Sequence, residues 1–175
     1  MVVTGSLVLS LVATLVVPSL QVWPPPGRHT WQYRSVRTLF LLATVRLLVV
    51  GGLDPESLGL RRWMGEAGSL ILGTSLFGVG TALASYAMGV LGRRVALGLD
   101  AELVTKGPYA WSRNPEYVGD LVLLLGLTIL TDSRWAAIVA FTGGLWFVLA
   151  PFAEEPWLDD AYGEAYRRYK QAHPR

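Results

Sequence analysis

The sequence predicts an all-α integral membrane protein with about five transmembrane helices and a C-terminal amphipathic helix. Of its 175 residues, 52% are hydrophobic and only 16% are charged, whereas soluble domains carry about 25% charged residues. The charges are also segregated, since residues 1–27, 67–92 and 135–153 contain no Asp, Glu, Lys or Arg. A helix needs roughly 20 apolar residues to cross the hydrocarbon core. We therefore interpret residues 1–175 as a single membrane domain.

The N-terminal part, residues 1–92, is predicted to contain three spans. The first covers residues 2–22 and ends before three prolines, which lack the N–H that a helix requires. It lacks the basic start and the cleavage site of a signal peptide, so we expect it to be retained. The second covers residues 36–53. The third covers residues 67–92 and is rich in small residues, which let membrane helices pack closely.

Arg46 lies inside the second predicted span, where a guanidinium costs a few kcal/mol unless it pairs or reaches water. Two interpretations are open. The side chain either snorkels or pairs with an acidic residue of another helix, or it faces a polar cavity that holds a ligand. On the second interpretation Arg46 is a candidate substrate-binding residue.

The C-terminal part, residues 93–175, is predicted to contain a polar loop, a helical hairpin and a final helix. Two apolar segments, 117–131 and 135–153, are separated by only three residues. So short a joint requires an antiparallel helical hairpin. The first arm is short for a complete span.

The predicted final helix begins near Pro156, because proline suits the first turn of a helix. Glu154 and Glu155 would then lie at the positive end of its dipole. Three tyrosines at helical spacing, Tyr162, Tyr166 and Tyr169, would share one face. We expect this amphipathic helix to lie on the membrane surface or to fold back over the core.

The distribution of Lys and Arg predicts the orientation. Most of these residues fall in the first loop, in the loop at 93–116 and in the C-terminal tail. The positive-inside rule places such segments in the cytoplasm, and with five spans the N-terminus is then outside. The 93–116 loop and the C-terminal helix would therefore meet on the cytoplasmic face.

The loop at 103–119 is the candidate site. It places Lys106, Arg113 and Glu116 among prolines, glycines and aromatic residues, directly between two apolar regions. The adjacent carboxylates of Glu154 and Glu155 at a hydrocarbon boundary need partners, such as Arg113, a cationic ligand or backbone donors. The residues alone leave open whether this is a ligand site or a helix-capping cluster paired with Arg113.

Composition argues against several other classes. The chain has no cysteine and only two histidines, so thiolate catalysis is excluded and a metal site would depend on carboxylates. We expect no metal site. The net charge of +2 is too small to suggest a nucleic-acid partner.

Three patterns resemble a known family. They are L-V-T-K-G-P-Y at 103–109, R-N-P-E-Y-V-G at 113–119, and twin glutamates followed by spaced tyrosines at 154–169. Together they resemble the isoprenylcysteine carboxyl methyltransferase family and are similar to the related phospholipid N-methyltransferases. The resemblance covers residues 103–175, with the motifs in the family's order and spacing.

The resemblance implies an S-adenosylmethionine-dependent membrane methyltransferase that acts on a small lipophilic or membrane-embedded substrate. Membrane lipids are the other implied partners, and the final helix would cover the site. The residues that would bind the cofactor, carried over by position, are Leu103, Val104, Gly107, Tyr109, Asn114, Pro115, Tyr117, Glu154 and Glu155.

Methyl transfer from a sulfonium needs neither a metal nor a protein nucleophile, because positioning in a dry site supplies most of the acceleration. A carboxylate acceptor would need a cation, and Arg113 is the catalytic candidate for that case. An amine acceptor would need a base, for which Glu116 and Asp120 are the candidates. Asp120 can equally be a cap or an arginine partner.

Two positions depart from the carboxyl methyltransferases. Asn114 stands where those enzymes usually carry histidine, and Ala150 stands where they carry a basic residue that helps to hold the prenylcysteine carboxylate. Phospholipid enzymes can carry asparagine at the first position. Both departures argue against a prenylcysteine substrate and leave the expected cofactor unchanged.

Two other functions are compatible with the sequence. Residues 113–121 also resemble a stretch of NADPH-dependent membrane reductases of the sterol type, although the twin glutamates and residues 105–109 argue against them. A small transporter or a structural membrane protein is the non-enzymatic alternative. The lack of an inverted repeat argues weakly against a transporter.

Overall fold

A computed structural model describes residues 53–95 and 102–174, together with positions 9, 12, 13, 16, 17, 34, 35, 38, 42, 45–47, 49 and 51. Across this described part the chain is all-helical, without a β-strand, as predicted. The helices are α1 (Leu60–Met64), α2 (Glu66–Val95), a 3-10 helix (Gly107–Ala110), α3 (Pro115–Thr131), α4 (Arg134–Tyr162) and α5 (Glu164–Ala172).

Within the part of the chain that the structure describes, two helices are long and apolar enough to cross a membrane. They are α2, over Glu66–Gly92, and α4, over Arg134–Tyr162. The 17 residues of α3 are fewer than the roughly 20 that a perpendicular span needs. The spans predicted at 2–22 and 36–53 lie largely outside the described residues. The count of five spans therefore stays a prediction.

Helices α2 and α3 pack antiparallel through glycines, so that their backbones are in contact. A Cβ atom on Gly126 would lie 2.8 Å from the carbonyl oxygen of Gly73, and one on Gly119 would lie 2.9 Å from that of Gly80. Both distances are shorter than real Cβ contacts. The small residues of the third predicted span therefore serve helix packing, as their spacing indicates.

Helices α3 and α4 form the predicted antiparallel hairpin. Tyr117, in the first turn of α3, packs edge-to-face against Trp146 with ring centroids 6.0 Å apart. Further along α3, Leu124 packs against the buried cluster that contains Val139 and Ala140, earlier positions of α4. The hairpin brings the start of α3 beside the last third of α4.

The turn of the hairpin is held by reciprocal caps. The Asp132 carboxylate accepts hydrogen bonds from the Ser57 hydroxyl at 2.6 Å and from the first N–H of α1 at 2.9 Å. The Asp54 carboxylate accepts from the Ser133 hydroxyl and from the Trp135 N–H. The bond from Ser133 holds the pKa of Asp54 below its usual range. These caps fix the 54–60 loop at the end of α4 that is remote from Glu154 and Glu155.

The prediction that a helix begins near Pro156 is wrong. Helix α4 continues through Pro151 and Pro156 to Tyr162, and the chain breaks instead at Gly163, where φ is 54°. A proline removes one helical hydrogen bond, which apolar membrane helices tolerate, whereas a positive φ is easily adopted only by glycine. Glu154 and Glu155 therefore lie inside α4, not at the positive end of a new helix.

Candidate functional site

The polar loop is built on the C-terminal half of α2. Gly107 has a φ of 64°, and a Cβ atom there would lie 3.3 Å from the Tyr86 hydroxyl and from the side chain of Val90. Pro108 and Tyr109, the next two residues, are buried. Because glycine alone adopts this φ without strain, Gly107 fixes the position of the 3-10 helix against α2.

The C-terminal helix lies over this loop. The Tyr169 hydroxyl donates a hydrogen bond of 2.6 Å to the carbonyl oxygen of Tyr109. The backbone N–H of Arg113 donates one of 2.8 Å to the carbonyl oxygen of Pro174. Burial raises the pKa of Tyr169 to about 12, so the hydroxyl stays protonated and remains a donor. The predicted meeting of loop and C-terminal helix is thus present in the structure.

Glu155 joins the loop, α4 and α5 electrostatically. Its Oε1 lies 2.8 Å from Nη1 of Arg113, and its Oε2 lies 3.0 Å from Nζ of Lys170. The Arg113 and Glu155 side chains are only 10% and 12% exposed. The hydrogen bond with Glu155 raises the pKa of Lys170. Two cations therefore compensate this buried carboxylate.

Glu154 faces a different environment. It accepts a hydrogen bond from the Tyr117 hydroxyl. Both Glu154 and Asp120 lie close enough to Glu116 for their negative charges to interact with its carboxyl group. Burial raises the pKa of Tyr109, and the charges of Glu116 and Glu154 raise it further. We refer to Glu116, Asp120 and Glu154 as the acid cluster. Within the described residues no three such side chains converge in a metal-binding arrangement.

The two adjacent glutamates therefore have different roles in the site. Successive residues of an α-helix point about 100° apart, which turns Glu154 toward the start of α3 and Glu155 toward the loop and α5. The interpretation of a capping cluster is partly right, since Arg113 does pair with Glu155. The acids themselves cap no helix, because both lie inside α4.

The remaining predicted cofactor residues flank the 3-10 helix. Leu103 and Val104 are half-buried in the irregular segment that precedes it. Asn114 occupies the N-cap position of α3 without a capping hydrogen bond from its side chain, and Pro115 is buried in the first turn. The loop thus connects Leu103 to Glu116, the first member of the acid cluster along the chain.

Arg46 does not lie at this site. It lines a groove together with Trp135 and Val139, at the start of α4. About 20 residues of α4 separate Trp135 from Glu155, which corresponds to about 30 Å at the helical rise. The structure brings the other predicted site residues to one end of the hairpin and Arg46 to the other.

The sequence did not reveal the roles of two residues that hold the site together. Lys170 bridges Glu155 and Asp159 at 3.0 and 3.5 Å, and Tyr169 anchors α5 through its hydroxyl. The tyrosine spacing gave a signal for a buried face at Tyr166 and Tyr169. Nothing local distinguished Lys170 from the other basic residues of the tail.

Comparison with known proteins agrees with this arrangement. A hairpin that carries a polar loop and internal carboxylates, beside a second membrane-length helix, indicates a membrane protein with a candidate site at one end of its helices. The family model for phospholipid methyltransferase matches residues 69–165, which is more than half of the 175 residues. The chain belongs to the phospholipid methyltransferase family. No curated protein matches it significantly.

Membership in this family confirms the resemblance drawn from the motifs. The matched region contains α2 from Ser69 onward, the polar loop, the acid cluster and both twin glutamates. The family points to a methyltransferase that acts on lipid. Together with the two membrane-length helices, it indicates a membrane location.

Proposed function

We propose that the protein is an S-adenosylmethionine-dependent methyltransferase whose acceptor is an amine of a membrane lipid. The observation that supports this most is the acid cluster beside Tyr109 and Tyr117. Grouped carboxylates in a partly buried site favour a cationic ligand. The sulfonium of the methyl donor and the protonated amine of a lipid headgroup are both cationic.

The residues at the site fit the methyl donor. S-adenosylmethionine supplies an electrophilic methyl group on a positively charged sulfur. Glu154, oriented by the Tyr117 hydroxyl, would accept hydrogen bonds from the amino group or the ribose hydroxyl groups of S-adenosylmethionine. Glu155 would hold Arg113 and α5 in place next to Glu154. The aromatic rings of Tyr109 and Tyr117 would attract the positively charged sulfur through their faces. The other residues proposed to shape the pocket are Leu103, Val104, Gly107, Tyr109, Asn114 and Pro115.

The arrangement favours an amine acceptor over a carboxylate. Transfer to an amine forms a carbon–nitrogen bond as the carbon–sulfur bond breaks, and a primary or secondary amine must also lose a proton. Glu116, with Asp120 one helical turn further on, would take that proton and stabilise the cationic product. The guanidinium of Arg113 is already paired with Glu155. Arg113 would therefore contribute by holding the loop rather than by binding a carboxylate.

The proposed placement in the membrane follows the distribution of basic residues. The acid cluster and α5 would lie at the cytoplasmic surface, with five spans and the N-terminus outside. A lipid amine at that surface could reach the start of α3 laterally from the bilayer.

A reductase is less compatible with this site. NADPH carries several phosphate groups, which the acid cluster would repel. The cationic side chains of Arg113 and Lys170 are both paired with Glu155. The chemistry of the site therefore favours a cationic cofactor over an anionic one.

Titration of the detergent-purified protein with S-adenosylmethionine and, separately, with NADPH tests this proposal. We expect binding of the first compound alone. Radiolabelled methyl should then appear in phosphatidylethanolamine rather than in a free fatty acid. Glu164→Gln, at an exposed glutamate of α5, is the matched control for substitutions in the acid cluster. Binding of NADPH alone would refute the proposal, and labelling of the fatty acid alone would refute the amine acceptor.

A further inference from the structure

Helix α5 contacts the candidate site through a buried tyrosine. Tyr169 is only 7% exposed, and its hydroxyl donates a hydrogen bond of 2.6 Å to the carbonyl oxygen of Tyr109. The carbonyl oxygen of Ser112 lies 3.4 Å from the same hydroxyl. We infer that Tyr169 is a positioning residue, which sets the affinity for the methyl donor by holding Tyr109 beside the acid cluster. This inference rests on the proposed function.

Tyr109 connects α5 to the acid cluster. It is 6% exposed, and it lies close enough to Glu116 and Glu154 to interact with their charges. The 3-10 helix that contains Tyr109 has only four residues. Such helices have poor internal hydrogen-bond geometry, so contacts from other elements determine where Tyr109 lies.

The two ends of the 3-10 helix are held by different elements. At its start, a Cβ atom on Gly107 would lie 3.3 Å from the Tyr86 hydroxyl of α2. Toward its end, the hydrogen bond to Tyr109 comes from Tyr169 of α5. Loss of the Tyr169 hydroxyl should therefore release the half that carries Tyr109 and leave Gly107 on α2.

The ring of Tyr169 is packed independently of its hydroxyl. The ring centroids of His173 and Tyr166 lie 4.6 and 6.3 Å from that of Tyr169. Tyr169→Phe keeps these ring contacts and removes only the hydrogen bond. Tyr166 is buried on the same face of α5, and its hydroxyl interacts with Arg113. Tyr166→Phe is therefore the matched control.

The charge of the methyl donor separates positioning from general stability. S-adenosylmethionine carries a positive sulfonium, whereas the product S-adenosylhomocysteine has a neutral sulfur at the same place. The face of an aromatic ring attracts a cation, so displacement of the Tyr109 ring should weaken binding of the charged donor selectively. A general loosening of α5 should weaken binding of both compounds by the same factor.

Calorimetric titration of the full-length protein in detergent with each compound tests the inference. We expect Tyr169→Phe to bind S-adenosylmethionine about five- to tenfold more weakly than the wild type, as for the loss of one hydrogen bond. Its affinity for S-adenosylhomocysteine should fall by less than about twofold, because the neutral sulfur is not attracted by the ring. Tyr166→Phe should change the two affinities by equal factors.

Tyr109→Leu tests whether Tyr169 acts through the ring of Tyr109. In that background Tyr169→Phe should cause no further selective loss, because the ring that it positions is absent. A further selective loss there overturns the inference. The comparison of Tyr169→Phe with Tyr166→Phe stays decisive if Tyr109→Leu folds poorly.

The failure of this inference differs from the failure of the proposed function. Unchanged affinities in Tyr169→Phe, or equal losses for the two compounds, overturn the inference and leave the proposed function intact. The same selective loss in Tyr166→Phe also overturns it. A wild type that binds neither compound refutes the proposed function, and the inference with it.

Discussion

The buried pair between Arg113 and Glu155 allows a quantitative test of what holds the site together. Both side chains are about nine-tenths buried, and their charged atoms are 2.8 Å apart. Removing one partner of such a pair costs about 3–5 kcal/mol, because the other charge is left buried. The loss of unfolding free energy in Arg113→Ala should lie near the lower limit of this range, since Lys170 remains 3.0 Å from Glu155.

Glu155→Gln should cost more than Arg113→Ala. It leaves the Arg113 guanidinium buried without its carboxylate, and Nε of Arg113 has no hydrogen-bond partner among the described residues. We expect a loss near the upper limit, about 4–5 kcal/mol. In the double variant both charges are absent, so its cost should fall short of the sum by about 2–3 kcal/mol.

Thermal and denaturant unfolding of the wild type, the two single variants and the double variant in the same detergent measures this double-mutant cycle. The matched control is Arg167→Ala, because Arg167 pairs with Glu164 at 3.4 Å on an exposed surface. That substitution should cost less than about 1 kcal/mol. Additive costs in the cycle, or a loss in Arg167→Ala as large as in Arg113→Ala, would refute the reasoning. Normal turnover by Arg113→Ala would show that the loop does not need Arg113 for its active conformation.

Three further outcomes test other parts of the structure. Glu154→Gln should weaken S-adenosylmethionine binding by about tenfold or more while leaving the folded yield nearly unchanged, and calorimetry showing unchanged affinity would remove Glu154 from the site. Gly126→Ala should reduce thermal stability, since its Cβ would lie 2.8 Å from the Gly73 carbonyl oxygen. Gly78→Ala, which meets open space, should raise stability by up to about 1 kcal/mol, and equal effects of the two substitutions would contradict the packing of α2 on α3. The pKa of Tyr169 is raised to about 12, so its contribution to the docking of α5 is complete below about pH 10 and is lost as the pH rises from about 10 to 12. Proteolysis of the tail across that range measures the loss, and the same pH profile in Tyr169→Phe would exclude Tyr169 as its cause.

The local features of the fold were accessible from the sequence. The joint at Asp132 and Ser133 is too short for anything but an antiparallel hairpin, and the structure has one there. The glycines of α2 indicated close packing, which α3 provides. Pro156 misled the prediction, because a proline removes one helical hydrogen bond without forcing an end where neighbouring elements hold the helix in place.

The candidate site was predicted in outline and not in its internal arrangement. The motifs identified the loop and the twin glutamates, and the family match agrees with them. They did not assign Glu155 to Arg113 and Lys170, or Glu154 to the acid cluster. Arg46, a substrate candidate on one of the two interpretations of its position in the second predicted span, lies beside the start of α4 and away from the loop.

The sequence by itself determined the membrane-type composition, the helical hairpin and membership in the methyltransferase family, because these depend on hydropathy, chain length between elements and short motifs. Only the tertiary structure decided which carboxylate is paired with cations and which lies near Glu116. The rotation of α4 about its axis sets that choice. Contacts from α3 and α5 fix the rotation, through Tyr117 on one side and Lys170 on the other, and contacts between elements distant in the chain are not encoded by the residues next to Glu154 and Glu155.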